Sequence, residues 1–284
     1  MRLLNYLKAG RQSLGARNGD TIIDLTAAGL PDSIDGLLAM GVDGLKKAGE
    51  AATKGGETTP FAQARLLAPV LNPSKAIAVG LNYIDHAAES PYKDAPKYPV
   101  LFHRFPSSWV GHNEPLIKPK SSDQFDYEAE LAVIIGKAGR HIAKDKALDH
   151  VVGYSLFNDG SIRDFQFKSH QWMIGKNFDA SGSFGPELVT ADELPPGAVG
   201  LRIQARLNGQ VMQDANTKDM IFDVATLVST CSENFELRPG DVIISGTPAG
   251  VGFARKPPVF MKQGDVIEVE VEKVGILRNT IKNE

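Results

Sequence analysis

The sequence predicts a mixed α+β fold, a β-roll or distorted barrel preceded by a small N-terminal domain. From residue 73 onward, strand-like segments follow one another with few helices between them, which is not the regular alternation of a doubly wound sheet. Gly80-Leu81-Asn82 ends a short strand, but no G-x-G-x-x-G fingerprint follows it, so a dinucleotide-binding reading has no support. The break at Leu71-Asn72-Pro73 divides the chain into an N-terminal domain of residues 1–72 and a larger domain of residues 73–284.

In the first domain, Asn18-Gly19-Asp20 reads as a hairpin turn leading into a strand over residues 21–25. Residues 33–40 read as a helix capped by Ser33, and the polar, Gly-rich stretch 52–60 as a loop. In the second, residues 75–80 form a strand, and residues 85–90 one or two helical turns. Pro91, Pro96 and Pro99 keep residues 91–99 extended or irregular. Further strands are expected at 100–102, 127–135, 152–157, 201–207, 241–245 and 266–271. Asn208-Gly209 marks a hairpin, and residues 222–231 an amphipathic helix.

Composition narrows the function. The 284 residues carry 31 Lys and Arg against 34 Asp and Glu, a formal charge of -3 with no basic block, so nucleic acid is not an expected partner. A small anionic substrate would need local positive charge. The single cysteine, Cys231, offers neither an internal disulfide nor a soft metal site and reads as a buried thiol. No apolar run reaches the roughly 18 residues of a membrane span, and the first residues lack the apolar core of a signal peptide, so the cytoplasm is the expected location.

The sharpest feature is Asp126-Tyr127-Glu128-Ala129-Glu130, followed by a β-branched apolar run to Gly136. On a strand, side chains alternate at period two, so Asp126, Glu128 and Glu130 share one face and Phe125, Tyr127, Ala129, Leu131 and Val133 the other. Three carboxylates on one face repel, more so when buried. Solvation, pairing with Lys or Arg, or a hard cation would each tolerate them. The core-like continuation argues that part of this face is buried. Asp159, at the end of the apolar strand before Gly160, supplies a third oxygen donor if it is not merely a turn or cap residue. Two Glu and one Asp suit Mg²⁺, Mn²⁺ or Ca²⁺ better than Zn²⁺.

These features fall into a recognisable order. Gly80-Leu81-Asn82-Tyr83 with His86-Ala87 and Glu89 comes first, then Tyr127-Glu128 with Glu130-Leu131, then Asn158-Asp159 with Ser161, Arg163-Asp164 and Gln166. Gly175-Lys176 with Phe178-Asp179 and Gly185-Pro186 follows, then Asn216-Thr217 with Met220-Ile221-Phe222, and last Ser245-Gly246-Thr247-Pro248 with Gly250-Val251-Gly252. On these segments, which cover about residues 75–275, the chain resembles the fumarylacetoacetate hydrolase family. The resemblance implies the β-roll of that family's C-terminal part, a homodimer, and Glu128, Glu130 and Asp159 as ligands of Mg²⁺ or Mn²⁺. Asp126 is not carried over as a ligand. Three departures from the usual pattern, Arg104 for Lys, Gly160 for Val or Met, and residues 180–184, are expected to border the substrate.

The resemblance also implies hydrolysis of a C–C bond in a 1,3-dicarbonyl acid, an acylpyruvate such as fumarylpyruvate. His86 and Glu89, one helical turn apart, are the expected water-activating dyad. Lys176 would stabilise the developing oxyanion. Arg163 would take the substrate carboxylate, unless it pairs with Asp159 or Asp164, and Gln166 would bind substrate or water. Gly246 and Thr247 would contact a substrate carboxylate or carbonyl. The same chemistry supports a decarboxylase, a tautomerase or isomerase, or a hydratase as the alternative reading, with a non-catalytic ligand-binding member behind these.

Overall fold

The computed structural model describes residues 1–89 and 95–284. Ala129–Ile135 lies at the centre, and all its residues are buried because both faces are covered. Its apolar run and β-branched residues suit a strand buried on both sides. Leu131 and Val133 pack on one face with Tyr154, Leu156 and Ile243, beneath Ile203, Val269 and Leu227. Ala132 and Ile134 face the opposite way, into a second core with Phe157, Ile244, Ile34 and Leu37. The side-chain alternation read from the sequence therefore separates two cores.

Among the described residues the largest sheet has twelve strands. Ala129–Ile135 runs antiparallel to Val151–Asn158 on one side and to Val242–Ile244 on the other. Beyond Val242–Ile244 come Ala76–Gly80, in parallel, and Val100–His103. Beyond Val151–Asn158 come Gly182–Thr190 and then Arg2–Lys8, paired through Arg2↔Val189 and Leu3↔Leu188. Arg11–Asn18, Thr21–Asp24 and Thr58–Pro60 complete that flank, so the N-terminal strands extend the same sheet. A five-stranded sheet, built around Arg202–Leu207, Val266–Val271 and Gly275–Asn283, covers one face together with the helix Val224–Asn234. The helix Ile34–Ala39 covers the other. This is the expected mixed α+β roll, with open sheets rather than a closed barrel.

Local chemistry accounts for the boundaries. Ser33 caps its helix by accepting from Gly36 N at 3.1 Å. Asn208 and Gly209 both have positive φ, as a two-residue hairpin turn requires, and join Arg202–Leu207 to Gln210–Asn216. The later helix starts at Val224 because Asp223 caps it through Thr226 N at 2.7 Å.

Two expectations need correction. Residues 52–60 are not a plain loop: the helix Val42–Lys54 runs into them, and Thr58–Pro60 is an edge strand, the setting in which a strand tolerates proline. The strand expected over 127–135 is interrupted at residues 127 and 128, with Phe125–Asp126 pairing separately with Ser161–Ile162. The helical turn expected at 85–90 is Ile84–Glu89. Its end at Ser90, Pro91, and any lid over residues 86–99 fall in part on residues 90–94, outside the described residues.

Leu131 is fully buried on the core face opposite Glu130. Leu131→Ala is expected to destabilise the fold by roughly 2–5 kcal/mol through cavity formation, read as a shift in the urea unfolding midpoint.

Candidate active site

The pairing of Ala129↔Asn158 carries the candidate site. One step past it, Asp159 N donates to Glu128 O at 2.9 Å, while the Asn158 side chain accepts from Glu128 N at 3.0 Å. Two residues distant in sequence are thereby set side by side at the end of the central strand pair. Glu130 joins them one pleat further along, and its Oε2 accepts from Gly246 N at 2.5 Å. Gly246 has φ +100°, which favours glycine, and a Cβ there would stand 2.6 Å from that of Asn82. Asn82 in turn donates to Ser245 O at 2.7 Å and Phe222 O at 3.0 Å, pinning the loop. One carboxylate oxygen each from Glu128, Glu130 and Asp159 lie within 4.8 Å of one another.

Three buried cations meet these acids. Lys176 Nζ lies 2.7 Å from both Glu128 Oε2 and Asp159 Oδ2. It ends the short helix Met173–Lys176, which crosses the helix Arg163–Gln166 closely. A Cβ on Gly175 would come within 2.4 Å of Gln166 N, so glycine is what permits the approach. Arg163 directs Nε to Asp126 Oδ2 at 2.8 Å, Nη2 to Glu128 Oε1 at 2.7 Å, and Nη1 to Gln166 Oε1 at 2.8 Å. Arg104 bonds Asp159 Oδ1 at 2.6 Å from the side away from the cleft. Asp126 also accepts from Gly252 N and Phe253 N.

Among the described residues the charges do not balance. Asp126, Glu128, Glu130 and Asp159 are buried against Arg104, Arg163 and Lys176, which leaves one negative charge over. Among the described residues, Glu130 has no ion-pair partner. Its carboxyl is driven well above the usual carboxylate range by burial, reinforced by Asp159 and Glu128. Burial acts the same way on Glu128, but Lys176 and Arg163 together outweigh it and bring that carboxyl down to about 2. Arg163 loses charge stability to burial and regains more from Asp126 and Glu128, so it stays protonated. A buried, all-oxygen cluster with one uncompensated charge is the donor set a hard divalent cation takes. Glu128, Glu130 and Asp159 are the residues that would hold it.

His86 and Glu89 stand at the rim, with His86 Nδ1 3.1 Å from Glu89 Oε1. Glu89 also accepts from Gly250 N at 3.0 Å, so the glycine-rich loop orients the carboxylate that orients the imidazole. Both line a cleft shared with Glu128, Glu130, Asp159, Arg163, Gln166, Lys176 and Thr247. The remaining wall is largely apolar, including Phe102, Phe167, Trp172, Val251 and Phe253.

Every residue expected as catalytic, metal-ligating or substrate-binding except Gly246 lines this one cleft, and Gly246 underlies it through Glu130; the departures expected to border the substrate, Arg104, Gly160 and residues 180–184, do not line it. The Arg163 pairing is with Asp126 and Glu128, not with Asp159 or Asp164, because residues 125–126 pair with 161–162 and bring Asp126 against the guanidinium. Arg104 does not border the substrate: it is fully buried behind Asp159. Gln213 was not anticipated. It accepts from Ala129 N at 2.9 Å and donates to Thr247 Oγ1 at 2.8 Å and Pro248 O at 2.7 Å, tying the hairpin strand to the site loop. A glutamine on a polar-looking hairpin strand carries no signal of this in its sequence neighbourhood.

The profile of the fumarylacetoacetate hydrolase C-terminal domain matches residues 75–282. The chain is 41% identical over 290 residues to a mitochondrial oxaloacetate tautomerase of Xenopus laevis, covering 99% of this chain and 90% of that one. A fumarylacetoacetate hydrolase from Exiguobacterium antarcticum superposes with a TM-score of 0.87 at 38% identity over the whole of both chains. A maleylpyruvate hydrolase from Sphingobium sp. SYK-6, solved with manganese(II) and pyruvate, superposes at 0.83 with 31% identity, covering 100% of this chain and 99% of that one.

The raised Glu130 carboxyl fixes the sign of a pH effect. Its contribution to stability is complete below the ordinary carboxylate range and is lost as pH rises through the raised value. Without divalent cations, thermal stability should therefore fall with rising pH in the wild type and more weakly in Glu130→Gln, as measured by calorimetry in chelator. Mn²⁺ at about a hundred times its dissociation constant should stabilise the wild type by roughly 2.7 kcal/mol. The same addition should leave Glu130→Gln close to unchanged.

Proposed function

The chain belongs to the fumarylacetoacetate hydrolase family, and from that premise we propose that it is a divalent-cation-dependent keto–enol tautomerase of a small 2-oxo dicarboxylate of the oxaloacetate type. The observation that carries the reading is the end-to-end similarity to an oxaloacetate tautomerase. The opposition, in one narrow cleft, of an oriented histidine to a carboxylate cluster supports it.

A hard cation held by Glu128, Glu130 and Asp159 would polarise the 2-oxo group and so acidify the neighbouring C–H. The chain supplies the rest. With Nδ1 of His86 directed at the Glu89 carboxylate, the proton belongs on Nδ1 and Nε2 is the free base. His86 Nε2 takes a proton from C3. The C–H electron pair becomes the C2–C3 double bond, and the carbonyl π pair moves onto the C2 oxygen. Lys176 Nζ, buried among the acids, supplies positive charge close to that oxygen. The proton held on His86 Nε2 is then passed to the C2 oxygen, directly or through a water, which completes the enol and restores the base; the reverse sequence returns the keto form, with no atom gained or lost. Thr247 Oγ1, set by Gln213, lies on the cleft wall as a substrate contact.

Hydrolysis of an acylpyruvate is the second reading, favoured by the structural likeness to a maleylpyruvate hydrolase. It would use the same histidine to deprotonate water. The two readings separate in one experiment, in which oxaloacetate tautomerisation is followed by ultraviolet absorbance beside a panel of acylpyruvates, with Mg²⁺ or Mn²⁺ and with chelator. The proposal expects metal-dependent tautomerisation and slow or absent C–C cleavage; cleavage without tautomerisation would replace it with the hydrolase. His86→Ala should retain Mn²⁺ binding by titration while tautomerisation falls by about 10²–10⁴-fold. A near-normal rate would remove the dyad from the mechanism.

A further inference from the structure

Arg104, Gly160 and Gly182 are far apart in sequence and meet on the side of Asp159 away from the cleft. Arg104 is 1% exposed, yet its guanidinium is surrounded by acceptors. Nη1 bonds Asp159 Oδ1 at 2.6 Å and Gly160 O at 3.0 Å. Nη2 bonds Ser108 O at 3.0 Å, and Nε bonds Ser108 Oγ at 3.1 Å. Phe157 lies 5.5 Å from the guanidinium carbon and closes one side. These acceptors lie around a fork, which a planar guanidinium satisfies and a compact ammonium does not.

The glycines make the room. A Cβ on Gly182 would stand 2.4 Å from Arg104 Nη2 and 3.0 Å from Asn158 O. A Cβ on Gly160 would stand 1.9 Å from Ser181 O, so only glycine lets the 181–182 backbone close over this pocket. Lys176 meanwhile reaches the other oxygen of Asp159, Oδ2, from the cleft side. The two carboxylate oxygens are thus divided between a cation behind and the cleft in front.

We propose that Arg104 is a positioning residue for the cation site: it holds Oδ1 of Asp159 in a glycine-lined cradle, so that Asp159 presents Oδ2 alone to a bound divalent ion. This rests on the reading that Glu128, Glu130 and Asp159 hold such an ion. Arg104 touches neither the cleft nor the reacting atoms, so its effect must pass through the orientation of Asp159. Lysine at this position would preserve the charge but not the fork.

The test is Mn²⁺ binding by isothermal titration for the wild type, Arg104→Lys, Gly182→Ala and the double variant, with Glu130→Gln as the ligand control and thermal unfolding in chelator to establish folding. Arg104→Lys is expected to stay folded and bind Mn²⁺ about 10- to 100-fold more weakly, the usual cost of losing a residue that orients a metal ligand. Gly182→Ala should weaken binding in the Arg104 protein and add little in Arg104→Lys, because both act through the same guanidinium. If Arg104→Lys does not fold, Ser108→Ala, which removes the Nε acceptor together with the Ser108 Oγ–Phe105 O bond, should still weaken Mn²⁺ binding by more than its loss of thermal stability accounts for. Binding by Arg104→Lys within about threefold of wild type, when 10-fold or more is expected, would overturn the proposal while loss of binding in Glu130→Gln left the ion reading standing. Additive effects of the two substitutions would overturn it likewise. Absence of Mn²⁺ binding in the wild type would overturn both.

Discussion

The antiparallel ladder between Ala129–Ile135 and Val151–Asn158 is the constraint on which the rest depends. Its last bond, from Asp159 N to Glu128 O, puts two nearly buried acids from different segments side by side at the floor of the cleft. A shift of one residue in that register would turn Glu130 toward the Leu131 core and carry Asp159 out of reach. The two cores on either face of the central strand oppose such a shift, because every alternate side chain is committed to one or the other. Packing energy spread over many apolar residues thus maintains a local electrostatic arrangement that no single contact would hold.

That arrangement is unfavourable by itself. Buried carboxylates repel, and burial adds the loss of hydration. The fold answers with Arg104, Arg163 and Lys176, each delivered by a different segment and each making more than one bond. Among the described residues the compensation stops short of neutrality at Glu130, which receives only a backbone N–H. A bound divalent cation would compensate this imbalance. The imbalance also explains why so much of the surrounding structure, from Asn82 to Gln213, serves to keep loops from relaxing away from the acids.

Around this core, the chemistry is set by how little else enters the cleft. His86 is oriented by Glu89, which is oriented by the loop at Gly250. Aromatic side chains occupy much of the remaining wall. Under the proposed function such a site would polarise a small oxygen-rich substrate at one end and move a proton at the other. Whether that proton comes from carbon or from water would separate tautomerisation from hydrolysis, and either would use the same oriented histidine.

The sequence by itself determined several of the strands, among them Ala76–Gly80, Val151–Asn158, Arg202–Leu207 and Val266–Val271, the alternation along the carboxylate strand, and the acids, the His86–Glu89 pair and Lys176 as candidates. These are local signals: period-two alternation, turn residues with positive φ, and residue types whose spacing along one element decides what they face. Gly182–Thr190 and Gly275–Asn283 were not legible in the sequence. It did not determine that the strand breaks at residues 127 and 128, that Arg163 pairs with Asp126 and Glu128, that Arg104 sits behind Asp159, or that Gln213 ties a hairpin to the Thr247 loop. Each of those contacts joins segments tens of residues apart. Which long cationic or amide side chain ends up on which acid is decided by sheet register and loop closure, and neither leaves a pattern in the neighbouring residues.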